Sequence, residues 1–254
     1  MVAVGASQRV LPGLAGEVGG ILRRHWIAAL PPAALLGAAA DAVLLLHDHI
    51  VAEILAGLAI AIAFELYIGY AELIVGADRS AGKRPGVVAL LARALPLTGG
   101  LVLASVVAVT LPLAATGLLV IPGLYLLTRW ALFAPAIVHE RLGPWDALRR
   151  SSRLVQGAFW VVFGTVTMSV LIEHAVIHAT AHTAEPVFGS LAWGLVGAAL
   201  ATALVSGPAA FTISVVYERL GAGLHAPPAV GEPAPSTTAS PPETIALEPE
   251  LRRD

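Results

Sequence analysis

The chain has 254 residues, 57% of them hydrophobic and 13% charged, with a mean hydropathy of +0.81; a soluble domain carries about a quarter charged residues, so this composition defines a polytopic membrane protein. The absence of cysteine excludes disulfides, thiolate metal sites and thiol nucleophiles. A net charge of -2 conceals a strong segregation of sign along the chain, and Lys83 is the only lysine among 15 basic residues, a bias that points to a GC-rich bacterial genome.

Residues 1–26 read as an N-terminal cytoplasmic segment whose "GEVGGILRRHW" carries a helical apolar stripe beside basic residues. A membrane span needs about 20 mostly apolar residues to cross about 30 Å of hydrocarbon. Ile27 to Leu46 is the first such block. Its "GAAADA" also fits the end of a signal-peptide core, but the run stays apolar through Leu46, which favours an uncleaved span. Ile50 to Ile74 is the second block, followed by another basic segment with an apolar stripe, "PGVVALLARALP". Leu95 to Val138 would be roughly 66 Å long as one helix, so it must fold back, and the turn is expected between Leu113 and Gly123, where Gly117, Pro122 and Gly123 cluster.

The third basic segment, "GPWDALRRSSRLVQGAFW", brings Trp145, Leu148 and Val155 near helical spacing and projects Arg149, Arg150 and Arg153 elsewhere. That pattern predicts a helix in the membrane interface with those three arginines at lipid headgroups. Pro144 suits its first turn. The last block, Ala158 to Val216, is expected to break around His178 to Phe188, where His178, His182, Glu185 and Pro186 interrupt it. Residues 27–220 therefore read as an all-α, polytopic bundle of six transmembrane helices, arranged as three repeats of interfacial helix plus transmembrane hairpin. Residues 221–254, rich in Pro, Ser, Thr, Ala and Glu, read as a disordered cytoplasmic tail.

Basic residues set the orientation, because short cytoplasmic loops carry the excess of Lys and Arg. Arg9, Arg23 and Arg24 precede the first span; Arg79, Lys83, Arg84 and Arg93 follow the second; Arg141, Arg149, Arg150 and Arg153 follow the fourth; Arg219 follows the sixth. The opposite loops offer Asp48 and Glu185 with several histidines. The expected location is a bacterial plasma membrane, with several passes and both termini in the cytoplasm.

The stretch "IPGLYLLTRWALFAPAIVHERLGPWDALRRSSRLVQGAFW" resembles the bacterial family related to the glycerophosphoryl diester phosphodiesterase membrane domain. Pro122, Gly123, Arg129, Pro135, Glu140, Gly143, Ala147, Leu148, Arg150, Ser151, Leu154, Gly157 and Trp160 fill that family's pattern. Over the first three spans the likeness is only general. Some members continue into a cytoplasmic catalytic barrel, whose His-Arg-Gly and Glu-Asn-Thr motifs are not found here. The resemblance implies a stand-alone membrane domain.

Three constellations invite chemistry. A charged side chain at mid-membrane costs about 2.5–3.5 kcal/mol, so Arg129 in "YLLTRWALF" calls for a partner. Glu65, roughly 22 Å into its span against roughly 16 Å for Arg129, is the leading intramembrane ion-pair partner, and Glu72 is the second. Tyr67 and Tyr70 are placed to add hydrogen bonds. The pair reads as a structural pin between spans two and four, as a substrate or proton path, or as an arginine reaching a lipid phosphate. On the outer face, His47 and His49 flank Asp48, and His174, His178 and His182 recur at i, i+4 and i+8 on one helix face. Such imidazoles, with Asp48, Glu173 or Glu185, suit Zn²⁺, or simply mark the end of a span. Finally, Gly194, Ala198, Thr202 and Ser206 make a small-residue stripe for close helix packing or homo-oligomerisation. No phosphate loop, nucleophile elbow or nucleic-acid patch is visible.

The favoured expectation is thus a non-enzymatic domain that engages membrane lipids, a protein partner or a second copy. A small transporter or permease using Arg129 and Glu65, and a metal-binding protein or membrane enzyme using the outer histidines, are the alternatives.

Overall fold

Backbone polar groups in hydrocarbon must be satisfied within the segment that carries them, so a chain this apolar has to be helical. The computed structural model describes residues 10–43, 49–81, 86–188 and 191–225, and their regular structure is helical throughout. The helices are α1 (Leu14–Val43), α2 (Ile50–Ala81), α3 (Val87–Leu118), α4 (Val120–Trp130), α5 (Phe133–Glu140), α6 (Pro144–Gln156), α7 (Phe159–Phe188) and α8 (Leu191–His225). Large apolar side chains point outwards, among them Leu35, Leu95 and Ile121, the last 83% exposed. Small ones fill the interior, including Ala29, Ala33, Ala71, Ala104, Ala134, Ala136, Ala203 and Ala210. Large side chains such as Phe133, Phe211, Ile68 and Ile74 are buried among them, while the small residues let helices approach closely in lipid.

Among the described residues, four helical stretches are long and apolar enough to cross a membrane: Ile50–Ser80, Val87–Gly117, Val120–Glu140 and Ala199–Ala222. A fifth arises if α6 and the start of α7, which meet at 109°, count as one broken span. The expected six are therefore recovered as four or five. Ile27 to Leu46 runs beyond the described residues at its far end, and α7 enters only as Phe159–Ile172, the second arm of the bent pair.

The hairpin expected between Leu113 and Gly123 is present. Its turn is one residue, Leu119, extended at φ -152° and ψ 124° between α3 and α4. The two helices cross so closely that a Cβ on Gly123 would lie 2.6 Å from the backbone nitrogen of Thr116. Elsewhere the boundaries move. α7 continues through His178, His182 and Pro186 to Phe188, so the break falls later than those residues suggest. "PGVVALLARALP" forms no separate interfacial helix: α3 runs on from Val87 through Pro96. The first basic segment belongs to α1, marked by non-helical dihedrals at His25. Only the third segment is a helix of its own, so the three expected repeats are unequal.

A proline and a helix break leave carbonyls to be satisfied inside this bundle, and tyrosine and serine hydroxyls serve them. Pro32 in α1 has no N–H for the Ala28 carbonyl four residues earlier. Tyr70 Oη donates to that carbonyl at 3.4 Å, and Tyr67 Oη donates to Ala29 O at 3.1 Å. The Val120–Glu140 span breaks at Ala131–Leu132 into α4 and α5, one turn ahead of Pro135. There the buried Ser151 hydroxyl of α6 donates to Arg129 O at 2.8 Å and accepts from Leu132 N at 3.1 Å. α6 is thereby fastened across the break, with Ala147, Leu148, Ser151, Leu154 and Val155 inward.

Ser151→Ala would leave a buried carbonyl and a buried N–H unserved, at about 1–3 kcal/mol per group. A lowered thermal unfolding midpoint in detergent is expected; an unchanged midpoint would show that the bridge holds nothing.

Candidate functional site

Charged residues appear where each apolar run stops, and folding gathers those stops at one end of the bundle. Asp78 of α2 accepts from Nε and Nη2 of Arg24 of α1, at 3.0 and 2.8 Å, and contacts His25 Nε2 at 2.9 Å. Arg79 of α2 bridges Glu17 of α1 and Glu218 of α8, the latter at 3.1 Å. Arg219 of α8 donates to Glu17 and to the carbonyls of Val10 and Pro12. On the other flank, Glu140 at the end of α5 accepts from Arg150 Nε of α6 at 2.8 Å and from Tyr217 Oη of α8 at 2.6 Å. Between these pairs lies Glu72 of α2, its side chain only 1% exposed, with Oε1 3.0 Å from His139 Nδ1. The His139 and Tyr217 rings meet edge to face.

Outside the spans, burial pushes the Glu17 carboxyl up, but the hydrogen bonds and charges of Arg219 and Arg79 outweigh it and hold the group below its ordinary value. Arg150 is opposed by burial and yet raised, because Glu140 favours its charged form.

Two cavities adjoin this end and the bundle interior. One of about 500 Å³ is lined by Glu72, Ser80, Arg93, His139 and Arg141 among others. The second, about 340 Å³, is mostly apolar and lies between Leu36, Phe64, Leu127, Trp130 and Val166, with Glu65 and Thr202 as its main polar lining. Glu65 Oε2 and Thr202 Oγ1 are both buried without a hydrogen-bond partner. Close packing behind that cavity brings α1 against α8: a Cβ on Gly37 of α1 would lie 2.7 Å from Ala199 O and 3.0 Å from Thr202 Cβ.

The predicted site residues are distributed as follows. Among the described residues no ion pair joins Arg129 to Glu65 or Glu72. The Arg129 guanidinium instead donates to Tyr125 Oη at 3.0 Å and sits over that ring at 5.6 Å, while its Nε has no partner. Glu65 lines the apolar cavity, Glu72 pairs with His139, and Tyr67 and Tyr70 serve α1 carbonyls. Of the three interfacial arginines, Arg150 is taken by Glu140, whereas Arg149 is exposed with a 3.6 Å contact to Asp146 and Arg153 reaches only the carbonyl of Arg149. The side chains of His174, His178 and His182 and all of His47 lie outside the described residues; His49 is exposed between α1 and α2.

Glu17, His25, Asp78, His139, Tyr217 and Glu218 were not expected. Their signal is an acid followed by arginine at the end of a span: Asp78-Arg79, Glu140-Arg141 and Glu218-Arg219, the last two within "VHERLG" and "VYERLG". These last two stretches touch in space through His139, Glu140 and Tyr217. No family model matches the chain, and no curated protein or solved structure matches it either.

A carboxyl whose pKa is lower folded than unfolded stabilises fully above the unfolded value, and that contribution is lost as pH falls through the folded one. Stability in detergent is therefore expected to hold from neutral pH to the ordinary carboxyl value of 4.5 and to drop below it. Glu17→Gln should start less stable and show a shallower acid drop; an acid limb identical to the parent's would remove Glu17 from the account.

Proposed function

We propose that the chain is a non-enzymatic membrane domain that holds anionic lipid headgroups at the cytoplasmic face of a bacterial plasma membrane, with α6 as the lipid-facing element and both termini on that side. One observation carries this reading: α6 is fastened to the bundle by its inner face while Trp145, 60% exposed, and the 76% exposed side chain of Arg149 project from it beside Arg153. An aromatic body with cationic tips is the pattern of an interfacial helix, and each arginine near an anionic surface adds about 1 kcal/mol. Exposed Trp26 and Trp160 suit the same interface. In this reading residues 122–160 form the core of a domain of the glycerophosphoryl diester phosphodiesterase membrane-domain kind; the Ser151 bridge to the Arg129 carbonyl supplies a physical reason for pairing those two positions.

A transporter reading has its own support, the 340 Å³ cavity in which Glu65 keeps an unpartnered oxygen. One set of preparations separates the two. Native mass spectrometry from micelles holding equal phosphatidylglycerol and phosphatidylcholine should show preferential retention of phosphatidylglycerol. In the Arg149→Gln/Arg153→Gln variant that retention should fall several-fold, with phosphatidylcholine unchanged. Equal retention of both lipids by the parent, together with lipophilic-cation flux in proteoliposomes that Glu65→Gln abolishes, would replace this reading by transport.

A further inference from the structure

We propose that Glu72, His139 and Glu218 form a binding site for a divalent metal of the zinc class, at the charged end of the bundle and separate from the outer histidines. The three residues come from α2, α5 and α8, and one ligand atom of each lies within 4.8 Å of the others. Tetrahedral zinc bonds of about 2.0–2.2 Å place ligand atoms about 3.4 Å apart. His139, whose side chain is 50% exposed, has room to close that gap by rotation. An imidazole with two carboxylates is a borderline nitrogen and oxygen donor set that suits Zn²⁺ and leaves a fourth position for water.

Three further observations point to a cation. Glu72 is almost fully buried, and its Oε2 has no hydrogen-bond partner. A carboxylate oxygen left bare in that setting is costly, and a metal ion would satisfy it. Among the described residues, Glu17, Glu140 and Glu218 each pair with an arginine, whereas the ion-pair contact of Glu72 is to His139. Access is provided by the cavity of about 500 Å³ that both Glu72 and His139 line. Exposed Arg93 and Arg141 also line that cavity, and their charge weakens its affinity for any cation. Arg79, bonded to Glu218 Oε2, orients the third ligand as a second layer does in known metal sites.

The test uses full-length protein purified in detergent without a histidine tag. Zinc is measured by elemental mass spectrometry after exposure to Zn²⁺ and gel filtration, and Co²⁺ is titrated as a visible-light reporter of nitrogen ligation. The expected result is close to one equivalent of zinc and a Co²⁺ band in the parent. Both should persist in the His174→Ala/His178→Ala/His182→Ala variant, and His139→Ala should lower affinity at least tenfold and remove the band. Glu72→Gln is expected to lose the metal as well. Because burial of Glu72 puts that variant at risk of misfolding, the half-exposed His139 carries the decision, read only on material with the parent's elution volume. Absence of zinc from the parent, or zinc that leaves with the outer-histidine variant and survives His139→Ala, would overturn the proposal.

Discussion

The carboxylate of Glu72 is the constraint around which the rest of the bundle is arranged. It lies on an apolar helix, almost fully buried, where an uncompensated charge would cost several kcal/mol. His139 meets one of its oxygens, and the residues on either side of His139 and along α8 extend that contact into a network. Glu140 joins α5 to α6 and α8, Arg79 joins α2 to α1 and α8, and Arg219 closes α8 onto the start of the chain. Partners in these contacts are separated by 10 to 209 residues. Buried and half-buried pairs of this kind contribute little net stability over apolar packing, but losing one member is expensive. Their effect is to specify which helix end sits beside which.

The same rule operates among neutral groups. Pro32 frees one carbonyl within α1 and the break at Ala131–Leu132 lies beside another, that of Arg129; each faces a hydroxyl from another element, Tyr70 in one case and Ser151 in the other. Ser151 does more than repair a break. It accepts from Leu132 while donating to Arg129, so the interfacial helix becomes the missing turn of its neighbour. One face of α6 is committed to that contact, and the opposite face, with Arg149 and Trp145, is left for the membrane surface.

Much of this was legible in the sequence. The α3–α4 turn followed from Gly and Pro in a run too long for one span, and α6 from its amphipathic spacing and Pro144. Hydropathy locates the ends of apolar runs but carries no information on which ends meet. Arg129 was matched to Glu65 by depth alone, whereas Tyr125, one turn back on the same helix, takes the guanidinium. Arginines at the ends of spans were read as markers of orientation, which hid their partners Glu17, Asp78 and Glu218. The echo of "VHERLG" in "VYERLG" was present to be seen, but its meaning depends on a contact between α5 and α8 that no local pattern encodes.

Charged helix ends are paired to one another and fix the order of the bundle. A double-mutant cycle on Glu140 and Arg150, with Gln at each position and unfolding followed in detergent, tests it most directly. Coupling of about 0.5–3 kcal/mol is predicted, with the double variant losing less than the sum of the single ones. Additivity within about 0.3–0.5 kcal/mol would mean that the two groups act independently, and the account would be wrong.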